Sequence, residues 1–297
     1  MKSNFVAILA FSLVILGGCF YSSTKPTVSQ ASHSQLFLVS KEQMDVGAKD
    51  AYNEVLIAAK NKNKLNANTK ETKRVRDISS RLISQVGAFR SDARSWDWQV
   101  NVINESTVNA WCMPGGKIVV YSGIMEKLNL NDNELAAIIG HEISHALREH
   151  SRENASIDLA KNELAAIIGH EISHALREHS RENASIDLAK NAAITIGGKL
   201  LGLDEASMNL ANLATKYTIT LPFSRSNETE ADAMGAELMA RAGFDPSSAI
   251  TLWEKMSKLS SSSALQITST HPSHSTRIND LKNIIKKVEP LYLNSQK

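Results

Sequence analysis

The chain has 297 residues, of which 42% are hydrophobic and 22% are charged. This composition is ordinary for a globular protein, and the length is enough for one large domain with helical additions. The formal net charge of only +2 and the lack of a long block of like charges exclude a basic nucleic-acid-binding surface, so no nucleic-acid partner is expected.

Residues 1–18 have the pattern of a bacterial lipoprotein signal peptide. The apolar run from Phe5 to Leu16 is too short for a comfortable membrane span. It leads into Leu16-Gly17-Gly18-Cys19, a cleavage box that predicts a lipid on Cys19. The next residue, Phe20, is not the Asp typical of inner-membrane retention, which favours the outer membrane, facing the periplasm. A plain secretory signal or an N-terminal anchor helix is the alternative.

The rest of the chain predicts a tether over residues 19–40, rich in Ser, Thr and Gln, and a domain over 41–290. Periodicity and turn residues predict the following elements in chain order: helices at 42–60 and 68–86, strands at 96–103, 108–113 and 117–121, and helices at 132–160, within 162–196, and at 205–215, 226–242, 246–259 and 275–288. A small three-stranded sheet followed by a large helical part predicts an α+β fold.

A 29-residue segment occurs twice in direct succession, as residues 133–161 and 162–190. Each copy carries His-Glu-x-x-His, which places His141, Glu142 and His145 in the first copy and His170, Glu171 and His174 in the second. On a helix, two His four residues apart share one face and can bind one metal ion, with the Glu beside them as a general base toward water.

The motif also occurs by chance on solvated helices, but the apolar run at 135–139 predicts that this helix is buried. Burying two imidazoles and a carboxylate without a metal would be costly. By contrast, His150 and His179, five residues after the second His of each motif, lie off the ligand face and are predicted to be surface residues.

A catalytic metal of this type needs a third protein ligand. Glu228 and Asp232 are four residues apart on a predicted helix, so one can ligate while the other orients a ligand imidazole. The alternative interpretation is a solvated acidic helix face.

Several motifs together resemble one known family. They are the run from Asn109 to Gly123, the His-Glu-x-x-His copies, Glu228-Thr229-Glu230-Ala231-Asp232, and Thr270-His271-Pro272 with Arg277. The chain resembles the zincin-like gluzincin metallopeptidases of the HtpX and CAAX prenyl protease type, and especially bacterial lipoprotein members such as LoiP, YcaL and BepA.

The resemblance implies one zinc ion per chain, bound by the two motif His and Glu228, with Asp232 behind a ligand and His271 and Arg277 as candidate partners of the oxyanion. A helix-entry role is the alternative for His271. The resemblance further implies endopeptidase activity on unfolded or misassembled cell-envelope proteins. An edge strand, at 108–113 or at 117–121, would then bind the substrate backbone.

Only one copy of the motif can share a metal ion with Glu228. The spacing downstream of the motif favours the second copy, and the spacing upstream favours the first. The 54 residues from His174 to Glu228 fit the family better than the 83 from His145. Upstream, the spacing of 18 residues from Gly123 to His141 fits the family better than the spacing of 47 residues from Gly123 to His170. An Asn cap with Glu134 at the third helical position precedes the first copy alone, so the first copy is favoured.

Two alternatives remain open from the sequence. The duplication could disrupt the metal site and leave a catalytically impaired, chaperone-like lipoprotein that binds peptides. The repeat could also have arisen in sequence assembly, which resequencing the locus would test.

Overall fold

The structure is a computed structural model that describes residues 19–31, 33–161, 212, 216, 225–260, 271 and 276–296. Four predicted segments lie outside the described residues, apart from residue 212. They are the signal peptide, the second copy of the repeat, and the helices predicted within 162–196 and at 205–215. Across the described ranges, no helix combines the length and apolarity that a bilayer span requires.

The chain folds as the predicted α+β domain, mostly helical with one small three-stranded sheet. The helices are α1 Lys41–Asn61, α2 Thr69–Ile83, α3 Ser122–Leu128, α4 Asp132–Leu147, α5 Arg225–Arg241, α6 Ser248–Ser260 and α7 Arg277–Ser295. The strands are β1 Cys19–Tyr21, β2 Gln35–Phe37, β3 Gln99–Ile103, β4 Ala110–Met113 and β5 Lys117–Tyr121.

The three-stranded sheet has β5 at its centre, parallel to β3 and antiparallel to β4. The reversal between β4 and β5 depends on Gly115 and Gly116, at φ 74° and 81°, a region that other residues rarely adopt. Because β5 is paired on both sides, the prediction that 117–121 could be the peptide-binding edge is wrong. Strand β4 has no described strand on its other side, and it packs against α4.

Helix α4 begins at the predicted cap. The Asn131 side chain accepts from the Glu134 amide at 3.0 Å, and the Glu134 carboxylate accepts from the Asn131 amide at 3.0 Å. The helix ends at Leu147, because Glu149 adopts the left-handed conformation at φ 52°, and residues 150–161 are helical again. One continuous helix over 132–160 was therefore a wrong prediction, and the break redirects the chain.

Helices α4 and α5 cross at two glycines. A Cβ on Gly140 would lie 3.2 Å from the Gly235 carbonyl oxygen, and a Cβ on Gly235 would lie 3.0 Å from the His141 backbone nitrogen. Side chains at this crossing would force the backbones apart. The glycines therefore hold the helix that carries His141 and His145 against the helix that carries Glu228 and Asp232.

The N-terminal segment, residues 19–40, packs on this helical core. Strand β1 pairs antiparallel with β2, and the buried Gln35 side chain donates to the Arg148 carbonyl at 2.6 Å. Thr27 Oγ1 and the Ser29 amide both donate to Glu237 Oε2, at 2.8 and 2.7 Å. The polar composition predicted a tether, but these side chains have buried partners, so the segment is folded onto the domain.

We expect Gly235→Val to destabilise the fold, because its side chain would meet the α4 backbone. Over-packing of this kind costs about 1–3 kcal/mol. Thermal unfolding followed by circular dichroism would measure it, with Gly235→Ala giving a smaller loss. A Gly235→Val variant as stable as the wild type would contradict the close crossing.

We expect His33 to make stability depend on pH. Hydrogen bonds to Glu153 and then Glu230 raise the pKa of His33 to about 9. The folded-state pKa lies above the unfolded value of about 6.5. The stabilisation is therefore complete below that value and is lost as pH rises through about 9. Unfolding midpoints of the wild type and His33→Gln, measured from pH 6 to pH 10, should converge with increasing pH; a constant difference would contradict this assignment.

Candidate metal centre

Two elements and one isolated residue bring four possible ligand atoms together. His141 and His145 come from α4, Glu228 comes from the first turn of α5, and His271 precedes α7. His141 Nε2 lies 3.1 Å from His145 Nε2 and 3.3 Å from His271 Nδ1. Glu228 Oε1 lies 3.3 Å from His145 Nε2 and 3.1 Å from His271 Nδ1. All four residues are buried.

The donor set fits a zinc ion in chemistry and in spacing. Zinc binds imidazole nitrogen and carboxylate oxygen, usually as a tetrahedron with bonds of about 2.0–2.2 Å. The corners of such a tetrahedron lie about 3.3–3.5 Å apart, close to the observed separations. The buried carboxylates Glu142, Glu228 and Asp232 also outnumber the guanidinium of Arg277 beside them, and a divalent cation would balance that excess.

The Glu142 carboxylate lies at the edge of this cluster. It is 3% exposed, and among the residues that the structure describes none donates a hydrogen bond to its Oε1. That oxygen is 3.4 Å from His271 Nε2. Burial raises the pKa of Glu142 above its usual value. A carboxylate with this elevated basicity and an oxygen directed into the site is suited to exchange protons with a reacting water.

Asp232 and Arg277 support the cluster from behind. Asp232 Oδ1 lies 3.0 Å from His141 Nδ1, which leaves His141 Nε2 facing the other donors. Arg277 contacts both oxygens of Asp232, and its Nη1 lies 2.7 Å from Glu228 Oε2. The same guanidinium lies over the Trp253 ring at 3.5 Å.

These contacts bear on the oxyanion role that the resemblance implied for Arg277. Its guanidinium is 2% exposed and contacts the carboxylates of Glu228 and Asp232, so it is positioned to orient these two side chains. The oxyanion role of Arg277 stays a prediction. His271 is the other candidate. Its Nδ1 lies among the ligand atoms, which makes it a possible fourth ligand as well.

Burial and neighbouring charges shift the pKa values of the clustered side chains in different directions. Burial favours an uncharged His145 and lowers its pKa well below the usual value. Burial opposes the charged form of His141 too, but hydrogen bonds to Asp232 and Glu228 outweigh it and raise the pKa to about 9. For Glu228, the adjacent imidazoles outweigh burial and lower the pKa well below its usual range. Glu228 is therefore ionised, as a ligand must be.

An apolar cleft opens beside the Glu142 carboxylate. The cleft is narrow, with an open volume of about 20 Å³, room for about one water molecule. His141, Glu142, Asp232 and His271 form its polar wall. The rest of its wall is apolar, contributed by α4, α5 and α6; these residues include Ile138, Met239, Ala249, Leu252, Trp253 and Met256. Its lining suits an apolar group, but the cleft would have to widen before it could hold a side chain.

Sequence reasoning missed a buried polar group behind His145. His150, predicted to be a surface residue, has no exposed surface, and its Nδ1 lies 3.0 Å from His145 Nδ1. The prediction assumed an unbroken helix, whereas the chain turns at Glu149. His33, for which the sequence indicated no role, also belongs to this group through Glu230.

The alternative site residues His170, Glu171 and His174 lie outside the described residues. Cys19, the predicted lipidation site, is the first residue of β1. Cys112 is a buried free cysteine of β4.

Comparison with known families matches this chain to the model of "Peptidase family M48" over residues 69–162 and 157–285. Each matched range contains one complete copy of the repeat. The family match therefore covers most of the domain but does not distinguish the copies.

Curated relatives are metallopeptidases by name. The chain is 33% identical to "Mitochondrial metalloendopeptidase OMA1" of Arabidopsis thaliana, over 65% of this chain and 33% of that protein. It is 25% identical to "Metalloprotease LoiP" of Escherichia coli strain K12, over 70% of each chain. It is also 25% identical to the "Beta-barrel assembly-enhancing protease" of that strain, over 75% of this chain and 41% of that protein. The chain thus spans less than half the length of two of these relatives.

We expect His141→Ala to reduce bound zinc from about one ion per chain to well below one, because the site would lose one of the three ligands that a catalytic zinc needs. His170→Ala, the same change in the second copy, is the matched control and should leave the zinc content unchanged. Metal analysis of the purified full-length chain would measure both. Loss of zinc in His170→Ala alone would show that the second copy forms the site.

Proposed function

The chain belongs to peptidase family M48, and we propose that it is a zinc-dependent endopeptidase whose first motif copy is the active one. The convergence of His141, His145 and Glu228, with Glu142 at their edge, carries this proposal. Those residues are the minimum for metal-assisted peptide hydrolysis: three ligands and one general base.

The roles of the residues follow from their positions. His141, His145 and Glu228 would hold zinc, which when bound supplies Lewis-acid activation of water and of the scissile carbonyl. Glu142 would take a proton from the attacking water and then deliver it to the leaving amine. Asp232 and Arg277 keep His141 and Glu228 in place throughout.

His271 has a separate place in this scheme. Catalysis needs a position that water and substrate can reach, and His271 Nδ1 lies at that corner of the donor set. We propose that His271 moves from this corner when substrate enters and then donates a hydrogen bond to the developing oxyanion.

The substrate is proposed to be an extended segment of an unfolded protein. Strand β4 packs against α4 and has an edge without a described strand. Its residues are buried in this structure, so the edge would have to be uncovered before a peptide pairs with it and presents its carbonyl near Glu142. The apolar cleft would widen to receive a neighbouring side chain of that peptide.

We further propose that the protein is lipid-anchored through Cys19 at the outer membrane and acts on misassembled envelope proteins in the periplasm. Support comes from the cleavage box before Cys19 and from the bacterial relatives. Phe20 and Tyr21, which follow Cys19 directly, are 61% and 42% exposed, and aromatic side chains of this kind suit a membrane interface. Because β1 begins at Cys19, a lipid there would hold the domain close to the bilayer.

The rival hypothesis was a binding module whose metal site the duplication had disrupted. The structure does not favour it, since the first copy keeps its two His together with Glu228 and with Glu142.

We expect Glu142→Gln to lower hydrolysis of an unfolded substrate such as casein by about 10²–10⁴-fold, because the general base is lost. Bound zinc should be retained, since Glu142 is not a ligand. Glu171→Gln is the matched control in the second copy and should retain wild-type activity. An active Glu142→Gln beside an inactive Glu171→Gln would contradict the choice of copy. A wild type that neither binds zinc nor hydrolyses protein would favour the binding module.

A further inference from the structure

The feature that leads beyond the catalytic residues is the contact between His145 and His150. In an unbroken helix, five residues correspond to about 500°, so His150 would point away from the face that carries His145. The break at Glu149 instead brings the two rings edge to face, with centroids 4.9 Å apart and Nδ1 atoms 3.0 Å apart. The left-handed residue therefore has a local consequence: it returns an imidazole to the metal centre.

Which imidazole donates in this contact follows from the nitrogen that His145 directs at the other metal ligands. His145 directs Nε2 at His141 and Glu228, so as a ligand it carries its proton on Nδ1. The Nδ1–H of His145 then donates to His150 Nδ1, which must be unprotonated. His150 carries its own proton on Nε2, which lies 3.4 Å from Glu230 Oε2.

Glu230 is itself held tightly. Its Oε2 lies 2.8 Å from Arg148 Nε and 2.8 Å from His33 Nδ1, and its Oε1 accepts from the His33 amide at 3.1 Å. Arg148 and His150 have no exposed surface. The Arg148 guanidinium also donates to Ser22 Oγ at 2.8 Å and to the His33 carbonyl at 3.0 Å. A continuous polar chain therefore runs from the N-terminal segment to the metal centre.

We propose that His150 is a positioning residue for the metal ligand His145, and that the N-terminal segment fixes it by clamping Glu230 through His33. Metal-bound His side chains almost always donate their other ring N–H to an oriented acceptor, and loss of that acceptor typically costs 10–100-fold in affinity. Here the acceptor is a second imidazole backed by a carboxylate. The segment next to the predicted lipid site thereby becomes part of the support of the metal centre. This inference rests on the proposed metal site.

The test measures zinc affinity on the full-length chain by competition with a chromophoric chelator. His150→Leu should weaken zinc binding by about 10–100-fold, because His145 Nδ1–H loses its acceptor. His150→Asn keeps a side-chain oxygen as acceptor and should bind within about threefold of the wild type. His179→Leu, the same change in the second copy, is the matched control and should bind zinc as the wild type does.

A spectroscopic measurement separates positioning from a general loss of stability. The d–d absorption band of the Co²⁺-loaded protein should shift in His150→Asn, because an amide oxygen accepts differently from an imidazole. If His150→Leu does not fold, this band decides: a shift supports the proposal, and an unchanged band overturns it.

The remaining outcomes distinguish this inference from the proposed function. A folded His150→Leu that binds zinc as tightly as the wild type overturns the role of His150 and leaves the proposed function intact. Weakened binding in His179→Leu with unchanged binding in His150→Leu also overturns it. A wild-type chain that binds no zinc overturns both.

Discussion

The close crossing of α4 and α5 is the constraint on which the site depends. Gly140 and Gly235 let two backbones approach to distances that a side chain would prevent. Only at that separation can the carboxylates of Glu228 and Asp232 reach the imidazoles of His141 and His145. The Asn131 cap starts α4, and Lys255 of α6 contacts the capping residue Glu134 at 2.7 Å, so the start of the crossing helix is anchored as well.

Buried charge is the second constraint, and it is satisfied in two neighbouring groups. In one, Arg277 lies between Asp232 and Glu228 behind the ligands. In the other, Arg148 and His33 surround Glu230 behind His150. Isolated charges at such positions would be strongly destabilising, so each group needs a cation, and a metal ion would balance the carboxylate excess of the first group. The two groups meet at His145, which is why the folded N-terminal segment is relevant to the chemistry.

The sequence allowed prediction of the features with local causes. The α+β plan follows from periodicity, and the start of α4 follows from Asn131 and Glu134, whose capping box is present. The four-residue spacing of Glu228 and Asp232 predicted one ligand and one supporting carboxylate on a shared helix face, and the family resemblance implied that Glu228 is the ligand. The features that the sequence did not predict depend on residues distant in the chain. They are the break at Glu149, the burial of His150 and the docking of residues 19–40. Their partners include Arg148, Glu230 and Glu237, which no local sequence pattern connects to them.

The central claim is that the first copy of the repeat builds a single metal centre with Glu228. Anomalous scattering at the zinc absorption edge, measured on crystals of the zinc-loaded full-length chain, tests it most directly. We expect one peak, about 2.0–2.2 Å from His141 Nε2, His145 Nε2 and a Glu228 oxygen. A peak between His170 and His174, or no peak near Glu228, would contradict the account.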